Sequence, residues 1–178
     1  MNLLTDNLLS GIAFSIPAII VALLVYFMLK KYFQQEHQGK LLETALKNRE
    51  QTLPMRLQAY ERLTLFLERI APESLIPRVQ TQSMTCRELE NALINQVNAE
   101  YTHNLTQQIY ITAESWEIIK NTKGSIFKLI QTAGEQVAPE APGMELSKKI
   151  LQMWMEVENP PTNIALRNLK LEVARIFG

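Results

Sequence analysis

Residues 8–29 read LLSGIAFSIPAIIVALLVYFML, and no charged residue occurs between Asn7 and Leu29. As an α-helix this run would extend about 35 Å at about 1.5 Å per residue, enough for a hydrocarbon core of about 30 Å. A helix buried inside a globular protein would normally keep a polar stripe, whereas this run is apolar on every side. We therefore predict a transmembrane helix over residues 7–29.

A cleaved signal peptide is the main alternative for this N-terminal run. Signal peptides carry a basic region ahead of a shorter apolar run, followed by a cleavage site flanked by small residues. Here no basic residue precedes the run, the run is too long, and no such site occurs before Lys30. We expect the segment to stay attached to the chain.

The flanking charges predict how the helix is oriented. Lys30 and Lys31 follow the run, whereas Asp6 is the only charged side chain before it. Because basic residues stay on the cytosolic side, the N-terminus is expected outside and the remainder in the cytosol, at the cytoplasmic (inner) membrane. Tyr26 and Tyr32 would join the two lysines at the membrane interface, where aromatic rings favour the headgroup level. Membrane lipid is thus the first expected partner.

Composition excludes one class of partner and says little about the compartment. The chain has 178 residues with 18 Lys and Arg against 18 Asp and Glu, so its formal net charge is zero. Nucleic-acid binding requires a marked basic excess on one face, and we expect no nucleic-acid partner. Cys86 is the only cysteine, so no disulfide can form within the chain.

Residues 30–53 are rich in Gln, Glu, Lys and Leu and predict a solvated juxtamembrane stalk helix. Leu42, Ala45 and Leu46 form its only apolar cluster. A committed coiled coil needs three or four clean heptads, which this segment lacks. Dimerisation through the stalk is left open.

Residues 54–178 predict a cytosolic helical domain. Pro54 is expected to restart the chain as an amphipathic helix that ends near Ile70, and Pro72 and Pro77 predict a connector after it. The apolar residues of this helix recur at helical spacing: Leu57, Tyr60, Leu63, Leu67 and Ile70.

The next helix has a clear start. Thr85 and Glu88 have the spacing of a capping box, in which each side chain satisfies a free backbone amide of the other. Its buried stripe is expected to contain Leu89, Ala92, Leu93, Val97 and Tyr101. Residues 104–112 favour a connector, with a helix continuation and a short strand left open. Thr112 is expected to cap the helix that follows.

The C-terminal part predicts a helical hairpin. APEAPG, residues 138–143, has two prolines and a glycine and predicts a loop. Helices are expected over Met144–Val157 and Asn163–Phe177. The complete prediction is an all-α fold: a transmembrane helix continuing into a stalk, then a small helical bundle that ends in this hairpin.

No arrangement typical of catalysis or metal binding appears. His37 and His103 lie far apart, and Cys86 has no neighbour at metal-ligand spacing. Cys86 and His103 would lie about 25 Å apart along one helix, too far for a catalytic dyad. Phosphate-binding glycine loops are missing as well. We expect no catalytic residue, no metal and no cofactor. Cys86 is interpreted as an inert thiol, with a low-pKa sensor as the alternative.

Two segments carry a resemblance to a known family. They are LPMRLQAYERLTLFLERIAPESLIPR at residues 53–78 and EYTHNLTQQIYITAESWEIIKNTK at residues 100–123. With the N-terminal run they resemble a family of uncharacterised bacterial single-pass membrane proteins. The resemblance supports the architecture and implies no activity.

Both segments hold more polar side chains than a bundle requires, and we predict a partner surface there. It comprises Tyr60, Arg62, Glu68 and Arg69 in the first segment and His103, Asn104, Gln107, Gln108 and Tyr110 in the second.

These observations favour a non-enzymatic function. The leading interpretation is a membrane-anchored scaffold or accessory subunit that mediates protein–protein interaction at the cytosolic membrane face, with other subunits or self-association as the expected partners. The first alternative is a bundle that senses a small ligand or a lipid, because helical bundles house such sites. The second is an uncharacterised enzyme that uses polar residues such as His103 or Glu68.

Overall fold

The computed structural model describes the backbone of residues 3–177, and the side chains of residues 17, 19–34, 36, 47 and 50–176. This part of the chain is all-α, as the sequence predicts, and it contains no β-strand. Its α-helices are α1 Leu3–Ile70, α2 Pro72–Val79, α3 Cys86–His103, α4 Ala113–Gly134, α5 Gly143–Met155 and α6 Pro161–Phe177, with a 3-10 helix at Leu105–Ile109 between α3 and α4.

The chain divides into two compact units, Met1–Thr52 and Leu53–Gly178. In the first unit, large apolar side chains are exposed from Ile19 to Leu29. The four predicted membrane-interface residues, Tyr26, Lys30, Lys31 and Tyr32, are exposed as well. Among the described residues, no helix is both long enough and apolar enough to cross a membrane. The side chains of residues 7–16, 18, 35, 37–46, 48 and 49 lie outside the described set, and the division into 7–29, 30–53 and 54–178 stays a prediction.

In the second unit, α4 contributes Ile119, Ile126 and Ile130 to a hydrophobic core. This helix packs against α3, α5 and α6, while α2 packs against α3 and α5. The end of α1 contributes fully buried side chains to the core, including Leu63, Phe66, Leu67 and Ile70. The predicted C-terminal hairpin is wrong in one respect: α6 packs more extensively on α4 than on α5.

Two predictions based on proline are wrong. The chain does not restart at Pro54, since α1 continues through it to Ile70. Pro54 is exposed, so water can satisfy the carbonyl that its missing N–H leaves free. Pro72 and Pro77 belong to a helix and not to a connector. Pro72 lies at the first helical position, where a missing N–H has no cost, and the burial of Leu75 and Ile76 stabilises the short helix.

The start of α3 confirms the capping box. Thr85 Oγ1 accepts from the Glu88 amide at 3.3 Å, and Glu88 Oε2 accepts from the Thr85 amide at 2.9 Å. The predicted loop before α5 completes this helix end, because Cys86 N donates to Ala141 O at 2.7 Å. Glycine at position 143 avoids a tight contact here, since a Cβ atom would lie 3.0 Å from Met84 O.

The sequence leaves residues 104–112 open between a connector, a continued helix and a short strand. Residues Leu105–Ile109 form a 3-10 helix, and Thr112 then begins the next helix. The Ser115 amide donates to Thr112 Oγ1 at 3.2 Å, so the predicted cap is confirmed. This junction brings the end of α3 and the start of α4 beside α1, where the polar residues of both segments gather.

Candidate functional site

The first candidate site is a cavity of about 220 Å³ between α1 and the C-terminal end of α3. Arg62, Leu65 and Arg69 reach it from α1, since these residues follow one another at helical spacing. The complete lining is Arg62, Leu65, Phe66, Arg69, Glu100, His103 and Asn104. The cavity therefore joins the two sequence segments that carry the family resemblance.

Glu100 organises the charges at this cavity. It is only 9% exposed because it follows Val97 by three residues and so lies on the buried stripe of α3. Its Oε1 lies 2.9 Å from Arg69 Nη2 and 3.4 Å from Arg78 Nη1. Gln96 Nε2 also donates to it, at 3.1 Å. One carboxylate thus faces two guanidinium groups, which leaves a positive excess.

Two arginine groups at this cavity have unused donors. Arg62 is exposed and makes no hydrogen bond or ion pair with any residue that the structure describes. Arg69 Nε is buried, and it has no hydrogen-bond partner within the described part of the chain. A buried donor without a partner costs about 1–3 kcal/mol, so an acceptor that reached Arg69 Nε would be stabilising.

A second cavity, of about 450 Å³, lies on the opposite flank of the same α1 face. Leu65 lines both cavities and is 55% exposed. The second cavity is lined by Leu57, Tyr60, Glu61, Thr64, Leu65 and Glu68 of α1 and by Val173 of α6. An exposed leucine is therefore flanked by a basic cavity on one side and by a cavity bearing two carboxylates on the other. We call this the Leu65 face.

The structure places six of the nine predicted partner-surface residues at the Leu65 face. The first cavity contains Arg62, Arg69, His103 and Asn104, and the second contains Tyr60 and Glu68.

The other three line neither of these two cavities. Gln107 is buried and its Nε2 donates to Thr106 Oγ1 at 3.2 Å. Gln108 is exposed. The backbone carbonyl of Tyr110 accepts from Arg56 Nε at 3.1 Å.

A buried carboxylate that the sequence analysis did not single out, Glu172 of α6, lies behind this face. Tyr60 Oη donates to it at 2.8 Å, the Thr112 amide at 2.9 Å and Thr112 Oγ1 at 3.0 Å. Ser115 Oγ also donates to it. Burial acts to raise the pKa of the Glu172 carboxyl, but the hydrogen bonds from Ser115, Tyr60 and Thr112 outweigh it and lower the pKa below its ordinary value.

Two further side chains extend this network. Arg56 Nη2 donates to Tyr60 Oη at 3.1 Å and lies 3.8 Å from Glu172 Oε1. Asn168 Nδ2 donates to Ser115 Oγ at 2.7 Å. Burial, and next the hydrogen bond to Glu172, raise the pKa of Tyr60. The network links α1, α4 and α6. Its donors and acceptors are hydrogen-bonded to one another, so we assign it a role in stabilising the fold.

Cys86 does not form a reactive site. Its side chain is buried, and burial raises the pKa of the thiol, with the carboxylates of Glu90 and Glu145 acting in the same direction. The alternative of a low-pKa sensor is therefore wrong. Among the described residues, no group of three or more His, Cys, Asp or Glu side chains is placed to hold a metal ion.

Comparisons with known proteins assign the chain to a family and to no activity. Residues 6–176 match a family described as "Family of unknown function (DUF7935)". No curated protein and no solved structure matches the chain. The resemblance to an uncharacterised family is thus confirmed over nearly the whole sequence, while its bacterial and single-pass character stays a prediction.

Proposed function

The chain belongs to this family of unknown function, and we propose that it is a membrane-anchored helical scaffold or accessory subunit that binds a partner protein at the cytosolic membrane face. We infer the binding function from the exposure of Leu65. This large apolar side chain lies between one cavity lined by arginines and another lined by glutamates. An apolar centre with a charged rim is the usual composition of a protein–protein interface.

Two features support the membrane anchor. Apolar side chains from Ile19 to Leu29 are exposed at nearly every position, and their transfer out of water contributes about 25 cal/mol for each Å² removed. The same stretch continues an uncharged run from Asn7, and Lys30 and Lys31 follow it directly. Basic residues on that side support a cytosolic position for residues 54–178.

The chemistry of the Leu65 face defines the partner. Arg62 and Arg69 border Leu65 on one flank, and Glu61 and Glu68 border it on the other. A protein that fits this face presents an apolar side chain against Leu65, acidic groups towards the arginines and basic groups towards the glutamates. Such complementarity selects the partner and its orientation.

Co-purification with matched variants tests this proposal. The full chain is purified in mild detergent from native membranes as wild type, Leu65→Lys and Leu171→Lys. Leu171, on α6, is the control because it is also 55% exposed and lines neither cavity. We expect a stoichiometric partner with the wild type and Leu171→Lys, and loss of at least about 90% of it with Leu65→Lys, as for an interface hot spot.

Two results would contradict the proposal. One is a wild-type protein that behaves as a lone monomer after gentle solubilisation. The other is a partner retained equally by Leu65→Lys and Leu171→Lys, which would place its binding site elsewhere. A wild-type homodimer disrupted only by Leu65→Lys would replace the partner protein with a second copy of this chain and so contradict the accessory-subunit function.

A further inference from the structure

We propose that the cavity between α1 and the end of α3 is a binding site for a phosphate group. The first reason is the pair of unused donors. Arg69 Nε is buried and has no partner among the described residues, and native structures seldom leave such a donor unpaired. Arg62, on the same wall, has its whole guanidinium group free of described partners.

The charge balance around the cavity favours an anion. Arg62, Arg69 and Arg78 contribute three positive charges, and Glu100 contributes one negative charge. Guanidinium groups present planar forks of N–H donors that match the oxygens of a phosphate. His103 adds a ring N–H donor in either protonation state.

Glu100 has a positioning role in this site. It holds Arg69 Nη2 at 2.9 Å and Arg78 Nη1 at 3.4 Å, so the two guanidinium groups are fixed before any ligand arrives. Arg78 is held further by donating from Nε to Ser74 O at 3.0 Å. Fixed donors lower the ordering cost of binding, which favours affinity for a small ligand.

The size of the cavity limits the ligand. A volume of about 220 Å³ corresponds to roughly seven water molecules at about 30 Å³ each. This accommodates a phosphate group with a few waters. The phosphate belongs either to a free soluble compound or to a lipid headgroup, and the two sources share the same recognition chemistry.

NMR on the full chain tests the site directly. The protein in maltoside micelles is titrated with inorganic phosphate at constant ionic strength, and the Arg69 Nε–H resonance is followed. We expect a saturable shift of this resonance. Arg62→Gln should weaken binding by about tenfold or more, the equivalent of about 1.4 kcal/mol. The control Arg167→Gln changes an exposed arginine of α6 outside the cavity and should leave the affinity unchanged.

A second arm distinguishes the two sources. Micelles containing phosphatidylglycerol are compared with plain maltoside micelles in phosphate-free buffer. A shift of the Arg69 resonance with the lipid but not with inorganic phosphate assigns the site to a headgroup, and the reverse assigns it to a soluble compound. No shift in either arm overturns the proposal.

Equal affinities in the wild type and in Arg62→Gln would also overturn it. The Thr112 amide resonance, which reports the Glu172 network, verifies that each variant is folded. None of these outcomes depends on partner binding at Leu65.

Discussion

Glu172 and Glu100 are two carboxylates of nearly equal burial, 8% and 9% exposed, whose surroundings differ in kind. Glu172 receives its hydrogen bonds from the neutral groups of Tyr60, Thr112 and Ser115, and Arg56 Nη2 lies farther away, at 3.8 Å from Oε1. Glu100 is paired with the guanidinium groups of Arg69 and Arg78 beside an open cavity.

These different surroundings indicate that Glu172 stabilises the fold, whereas Glu100 belongs to a candidate binding site. Neutral donors around Glu172 use up its acceptor capacity and join three helices, so nothing is left for a ligand. Arginines around Glu100 outnumber it, so positive charge and free N–H donors remain. The burial of a carboxylate therefore does not identify its function. The charge of the groups that contact it, and whether their hydrogen-bond donors are all used, do identify it.

The largest expected effect is the loss of the Glu172 side chain. Glu172→Ala leaves the buried donors of Tyr60, Ser115 and Thr112 without their acceptor. We expect the free energy of unfolding to fall by about 3 kcal/mol, as when one partner of a buried network is removed. Urea denaturation of the full chain in detergent measures it. The exposed Glu158→Ala is the control and should change stability by less than about 0.5 kcal/mol. If Glu172→Ala lowers the free energy of unfolding by less than about 1 kcal/mol, the structural role of Glu172 is contradicted.

The contribution of Glu172 to stability should depend on pH. The folded state lowers the pKa of Glu172, so its contribution is complete above the unfolded-state pKa of about 4.3 and is lost as pH falls through the lower folded-state pKa. The stability difference between wild type and Glu172→Gln should therefore be constant from about pH 7 to 5 and should shrink below about pH 4. Denaturation at a series of pH values tests this. A difference that grows on acidification would contradict it.

Removing the charge of Glu100 should have a smaller effect on stability and should weaken phosphate binding. Arg69 and Arg78 keep 43% and 34% of their side chains exposed, so water replaces the lost charge and Glu100→Gln should cost about 1 kcal/mol or less. Phosphate should bind roughly twofold more weakly, because Arg69 and Arg78 lose the carboxylate that fixes them before the ligand arrives. The same NMR titration measures this change. Tighter phosphate binding would contradict the positioning role of Glu100.

Much of the fold could be predicted from short sequence patterns. The capping box at Thr85 and the cap at Thr112 fixed two helix starts, since both depend on residues three apart. Proline positions were less informative. Pro54 lies within α1 because an exposed helix can hydrate a freed carbonyl, and a sequence pattern does not report exposure.

The candidate sites were less predictable because their partners are distant in the chain. Tyr60 and Glu172 are 112 residues apart, and only the packing of α1 against α6 brings them together. One signal was nonetheless present. Glu100 follows Val97 by three residues and Glu172 follows Leu169 by three, so each carboxylate lies on an apolar stripe at helical spacing. A lone glutamate on such a stripe indicates a buried, partnered carboxylate.

The membrane anchor on which the proposed function depends is tested most directly on two parallel samples: isolated native membranes are extracted with alkaline carbonate, and intact cells are treated with protease. We expect the full chain to stay in the membrane pellet and residues 54–178 to be protected in intact cells. Release into the carbonate supernatant, or removal of the C-terminal domain by external protease, would contradict this expectation.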